Sequence, residues 1–231
     1  GYREAPERRY PLKPARSLFA STGPKPRIVL KDALDNIIEI VENGEFCLVY
    51  DRPLGPDGLS WADLVDWWRG YGLCQATEHK TVARDLYKRL LMSMTDSPAE
   101  RVLFRSYCRR YANEAGQNAP ALLPQVYLHY DPYTRKQRGT VQQALARERM
   151  DFLLLMPNGV RVVLEVDGKH HYAEGDIASP RLYARMAAED RSLRLRGYEV
   201  FRFGGYELTD SSETENMLQG FFDQLLDRYG S

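Results

Sequence analysis

Asp151, Glu165, Asp167 and Lys169 are the residues of this 231-residue chain whose types and spacing point most directly to chemistry. Asp151 opens the apolar run Met150-Asp-Phe-Leu-Leu-Leu-Met156, and Glu165, Asp167 and Lys169 close the run that begins at Val160. Between the two lies Pro157-Asn158-Gly159. Asn-Gly between apolar stretches is a strong hairpin signal, because both central residues of a type I′ turn need positive φ. The runs are therefore expected to pair antiparallel, with Asp151 across from the neighbourhood of Glu165 and Asp167. Side chains alternate along a strand, so Glu165, Asp167 and Lys169 are expected on one face for as long as the strand continues. Carboxylates gathered in this way repel one another unless a cation lies between them. Hard oxygen donors suit Mg2+ or Mn2+. A lysine beside such an ion places positive charge where a phosphodiester develops negative charge during hydrolysis. The competing explanation is a salt-bridged strand end in which Lys169 simply neutralises an acid.

The flanking sequence extends the pattern. Ser97-Pro-Ala-Glu100, Arg149-Met-Asp151-Phe, Glu165-Val-Asp167-Gly-Lys-His-His171, Asp190-Arg191 and Gly197-Tyr-Glu-Val-Phe-Arg-Phe203 follow one another in that order. This ordered set resembles the PD-(D/E)xK nuclease superfamily, in the branch containing very-short-patch-repair-like endonucleases, over about residues 96–208. Met150 stands where the family name expects proline, and Glu-x-Asp-x-Lys leaves open which of Glu165 and Asp167 is the principal second ligand. The resemblance implies an α/β fold with a restriction-endonuclease-like core, a mixed central sheet of about four strands flanked by helices. It implies a Mg2+- or Mn2+-dependent endonuclease acting on nucleic acid, DNA favoured over RNA, in a defence or repair setting. Asp151, Glu165 and Asp167 would be the metal ligands, Lys169 would orient water or steady the phosphate, and Glu100 would assist through a water. The other class of function is a nucleic-acid-binding or scaffolding module that keeps the fold without catalysis.

Several neighbours carry two readings. Ser97-Pro98-Ala99-Glu100 is a capping box with proline at the first helical position, a structural use of Glu100 compatible with a place near the metal. His171 shares parity with Lys169, so it is the histidine expected at the site, as phosphate contact or proton carrier; a satisfied structural histidine is the alternative. Asp190 and Arg191 read as a surface ion pair, a support for the site or a phosphate contact. From Arg101 to Met150 nine basic residues face three acids, although the net charge of the chain is zero. That local surplus suits a nucleic-acid track, with Arg135, Lys136, Arg138 and Arg149 as candidate contacts. Trp61, Trp67 and Trp68 read as core or partner interface before base stacking.

Composition bounds the rest. With 43% hydrophobic and 28% charged residues the chain reads as an ordinary globular protein. No apolar run approaches the ~20 residues that span a bilayer, so no membrane association is expected. The polar start at Gly1 lacks a secretory pattern and an initiating methionine, which reads as a processed product or a fragment. Cys47, Cys74 and Cys108 are too far apart for a zinc site and suggest a reducing cytoplasm. Residues 1–26, rich in proline and basic side chains, are expected to form an extended arm or linker. Residues 27–95 are expected to be an accessory region that meets a protein partner, and 96–231 the catalytic domain. A second hairpin is expected at Asn43-Gly44, between Ile37-Ile-Glu-Ile-Val41 and Phe46-Cys-Leu-Val-Tyr50, with a helix as the competing reading for 34–42. Helices are expected from Ser60 through Trp68, over 76–94, from Ser97, over 180–196 and over 214–229. Leu122 to Tyr130 is expected to form one strand and Tyr198 to Phe203 another.

Overall fold

The computed structural model of the chain describes residues 16–32, 37–72, 74, 76–112, 117–130 and 149–230. Arg135, Lys136 and Arg138, the expected backbone contacts, lie outside the described residues. The central hairpin forms as expected. Strands β7 (Met150–Leu155) and β8 (Arg161–Asp167) pair antiparallel, with Phe152 opposite Leu164 and Leu155 opposite Arg161. Asn158 and Gly159 take φ of 57° and 72°, and Val160 N–H closes the turn on Pro157 O at 3.2 Å. The two strands are almost continuously apolar because they are buried on both faces, as the central strands of a covered sheet are.

After β8 comes a short antiparallel pair, β9 (Ala173–Glu174) with β10 (Ile177–Ala178). Strand β11 (Tyr198–Gly204) lies parallel to β8, and β5 (Leu122–Val126) antiparallel to β7. The order β11-β8-β7-β5 gives a mixed four-stranded sheet, the number expected. A parallel neighbour needs a crossover, supplied by helix α4 (Pro180–Leu195), which packs on β11. Helix α3 (Pro98–Tyr111) packs on β5 and on the last helix, α5 (Ser212–Tyr229). Phe104 of α3 stacks on Phe152 at 6.4 Å between ring centres, and Tyr107 meets the edge of Phe222 at 4.7 Å. Two further helices, α1 (Trp61–Gly70) and α2 (His79–Met92), complete the five described. Ser60 and Asp63 form a reciprocal capping box at the start of α1.

Three local expectations are corrected. From Arg16 the expected arm is a strand, β1 (Arg16–Phe19), seated between β4 (Leu48–Tyr50) and β6 (Leu128–Tyr130) with Leu18 and Phe19 buried. The Asn43-Gly44 stretch does not close a hairpin. Asn43 alone takes positive φ, 61°, and the chain then makes a short helical turn from Gly44 to Phe46. Strand β3 (Ile37–Glu42) consequently pairs with β2 (Arg27–Asp32), and β4 with β1. The segment from Leu122 to Tyr130 is divided between two sheets, because Gln125 at φ 49° bends it and Tyr127 N–H turns to Leu18 O. One buried cluster runs from Phe19 and Trp68 through Leu86 and Phe104 to Phe152 and Phe222. The division at residue 96 therefore separates stretches of sequence that share a core. Among the described residues no helix is long and apolar enough to cross a membrane.

Candidate active site at the carboxylate end of the central sheet

The start of β7 and the ends of β8 and β11 lie at one edge of the sheet, because β7 is antiparallel to the other two. Continuing the β7–β8 register past Phe152 and Leu164 sets Asp151 level with Glu165. The regular ladder stops there, and Asp151 supplies its carboxylate where the backbone pairing ends: Val166 N–H donates to Asp151 Oδ2 at 2.9 Å. The other oxygen accepts from Arg149 Nη2 at 3.1 Å, and the same nitrogen reaches Glu100 Oε1 at 3.4 Å. Glu100, Asp151 and Asp167 are all buried, a state carboxylates rarely occupy without partners.

Glu100 is brought here by the start of α3. Ser97 Oγ accepts from Glu100 N–H at 3.4 Å, and Pro98 occupies the first turn. Only that half of the expected capping box forms, since the Glu100 side chain turns inward instead and accepts from Gln125 Nε2 at 3.2 Å. Gln125 is the residue that bends β5 with its left-handed backbone, a conformation that costs energy for a side chain of this kind. Burial pushes the Glu100 carboxyl up from its ordinary 4.5 and the Asp151 charge adds to this, against the pull of Arg149, Gln125 and Ser97. A raised folded value means stability that is present below the ordinary value and is lost as pH rises through the folded one. Glu100→Gln, which retains the polar contact to Gln125 and removes the buried charge, is therefore expected to melt higher than the parent above the raised value and equally below pH 4.5. Scanning calorimetry across pH checks this, and a higher melting point for the parent at neutral pH contradicts it.

The second half of the site is built around Asp167. Arg202 of β11, level with Glu165 across the parallel pairing, donates from Nη1 to Asp167 Oδ1 at 2.6 Å and from Nε to Asp190 Oδ1 at 2.7 Å. Burial works against the guanidinium charge, but the bond to Asp190 and the charges of Asp167, Asp190 and Glu165 outweigh it, and its pKa is held up. Asp190 thus acts as the support that was one of its readings. His171 Nδ1 lies 4.0 Å from Asp167 Oδ1. Burial and the neighbouring His170 lower the His171 pKa below 6.5 despite Asp167 and Asp151, so the ring is neutral at neutral pH. His171 stands at the site, and the exposed His170 ring lies against it, 4.2 Å between ring centres.

Lys169 does not share this arrangement. The strand ends at Asp167, and Gly168 leads into a tight turn over Lys169–His171, closed by His171 N–H on Gly168 O at 2.9 Å. Strand parity stops with the strand. The Lys169 side chain is 56% exposed and pairs with Asp176 at the surface. Arg149 is corrected as well: its guanidinium is committed to Glu100 and Asp151 in place of an external phosphate. Trp61, Trp67 and Trp68 are buried, with Trp68 Nε1 bonded to Asp85 at 2.9 Å, so they belong to the core. The cysteines are free thiols, Cys47 and Cys108 buried and Cys74 half-buried.

Arg202 and Gln125 are the residues that sequence reasoning left without a role. Strand alternation gives the parity of Arg202, but its level against Glu165 depends on a register between strands that are distant in sequence. A positive φ at a glutamine leaves no mark in the sequence at all. The carboxylates are hard oxygen donors of the kind Mg2+ and Mn2+ take. Among the described residues, however, no three Asp, Glu, His or Cys side chains stand together as a metal-ligating group. The repulsion that argued for a cation is offset here by Arg149 and Arg202. Comparison with protein-family models, with curated proteins and with solved structures returned no match.

Proposed function

We propose that this edge of the sheet is the active site of a metal-dependent nuclease that hydrolyses phosphodiester bonds, with DNA favoured as substrate. One observation carries the reading: Glu100, Asp151 and Asp167 are buried together with a strained Gln125 at a single sheet edge. Such groups cost a fold stability even when paired, and they cluster where chemistry is done. Asp151, Glu165 and Asp167 are the residues to hold Mg2+ or Mn2+, which when bound supplies the positive charge that activates water and steadies the attacked phosphate. Arg202 and Val166 N–H hold Asp167 and Asp151 in place. Neutral His171 beside Asp167 accepts a proton from the attacking water. Lys169 on the rim attracts the phosphate backbone.

A second reading has its own observation. Arg149 and Arg202 occupy the cationic positions between the carboxylates, which suits a nucleic-acid-binding or scaffolding module without catalysis. Incubation with plasmid, linear duplex, single-stranded DNA and RNA in Mg2+, Mn2+ or EDTA separates the two. The nuclease reading expects cleavage in Mg2+ or Mn2+ that EDTA abolishes. Binding without cleavage under every condition supports the silent module.

A further inference from the structure

Among the described helices α4 is the least covered. Of its 16 residues only Leu193 is buried. Its outward face carries Arg181, Arg185 and Arg191, with Ala184 and Ala188 exposed between them. These positions recur at three- and four-residue spacing and so form one row, and each four-residue step advances about 6 Å. The small alanines leave room for a chain to lie against the helix between the arginines. Arg181 pairs with Glu174 and Arg185 with Glu189, both exposed ion pairs of the weak, salt-screened kind, which a phosphate displaces readily.

Exposed tyrosines stand on the segments that lead from this helix to the carboxylates. Tyr183 is 61% exposed and lies in the same helical row as Asp190, seven residues on, whose carboxylate holds Arg202. Tyr172 is exposed at the start of the helix, its carbonyl accepting from the N-cap Ser179 N–H at 2.8 Å. Tyr206 is 97% exposed and follows Gly205, whose N–H donates to Asp167 O at 2.9 Å. Rings left in water and an exposed row of arginines together suit unpaired bases, since every base offers a face to stack and the backbone supplies the negative charge.

We propose that the outward face of α4 and the tyrosines beside it form a track for a single, unpaired nucleic-acid strand leading to the carboxylate edge. The proposal rests on the nuclease reading above and names its substrate class. The test measures anisotropy of fluorescein-labelled oligo(dT), oligo(rU) and a blunt duplex against the full chain in EDTA, so that nothing is cleaved. The track expects a single strand to bind more tightly than the duplex. The variant Arg181→Gln/Arg185→Gln/Arg191→Gln should flatten the plot of log affinity against log salt by about 2, from ~0.7 per lost contact on a single strand. Tyr183→Ala/Tyr206→Ala should weaken single-strand binding by about 5- to 150-fold for each stacked base lost and leave duplex binding unchanged. All five side chains are exposed, and equal melting curves verify that the variants fold. Preference for oligo(dT) or oligo(rU) over the duplex supports the track and identifies the strand. An unchanged salt slope, tyrosine variants that bind as the parent does, or tighter binding of the duplex overturns it. Cleavage by the same proteins separates this proposal from the one beneath it. A parent that binds in this way without ever cleaving retains the track and removes the nuclease, whereas cleavage of dilute substrate at parental rate by both variants removes the track and retains the nuclease.

Discussion

Arg202→Leu is expected to destabilise the fold by about 3 kcal/mol, the low end of the range for removing one partner of a buried ion pair. The arginine is 18% exposed and its partners Asp167 and Asp190 are 12% and 24% exposed, so residual water moderates the cost. Leucine leaves both carboxylates without their counter-charge, and the same arginine is what keeps β8, α4 and β11 tied at the site. At roughly 2–4 °C per kcal/mol in a chain of this size, the melting temperature should fall by about 6–12 °C. Adding Asp167→Asn to the variant should restore part of the loss, because the buried charge then disappears with its partner. Millimolar Mn2+ should also restore part of it if the carboxylates accept a divalent cation in place of the guanidinium. Urea unfolding of the three proteins, with and without Mn2+, measures this. A loss below about 1 kcal/mol, the scale of an exposed pair, contradicts the role given to Arg202.

How far the sequence could be read depends on how local the determining physics is. The β7–β8 hairpin was legible because Asn158 and Gly159 specify their own positive φ, and with the turn placed, the level of Asp151 against Glu165 follows by counting. The helix starts at Ser60, Ser97 and Ser179 were legible for the same reason, each cap needing only the residues beside it. Lys169 was misplaced because parity was carried through Gly168, and where a strand ends depends on what the chain meets next. The dipeptide Asn43-Gly44 carries the same local signal as Asn158-Gly159, but its flanking strands find better partners in β1 and β2, a choice made by distant sequence. The local charge surplus suggests an outward contact for Arg149; only the fold shows that its guanidinium bonds Glu100, 49 residues away in sequence, as well as Asp151. The mixed four-stranded sheet was thus legible through local signals, whereas the cations that close the site arise from pairings between separated elements.

Asp151→Asn is the variant with the largest expected effect on function. Asparagine keeps an oxygen to accept from Val166 N–H, so the strand end is preserved, whereas Asp151→Ala orphans that buried donor at a cost of about 1–3 kcal/mol. What asparagine removes is the charge that Arg149 balances and that a divalent ion requires. If hydrolysis depends on that charge, the single-turnover rate should drop by about two to three orders of magnitude, the scale of losing one preorganised electrostatic group. Nucleic-acid affinity in EDTA should stay close to that of the parent, since Asp151 is buried and offers a strand almost no surface. The most direct measurement is therefore single-turnover cleavage of a saturating oligonucleotide by the parent and by Asp151→Asn, side by side in Mg2+ and in EDTA. Metal-dependent cleavage by the parent and its near-complete loss in the variant, with melting and binding retained, is the predicted result. Equal cleavage by the two proteins, or cleavage by the parent that persists in EDTA, would contradict a metal-dependent site at this carboxylate edge.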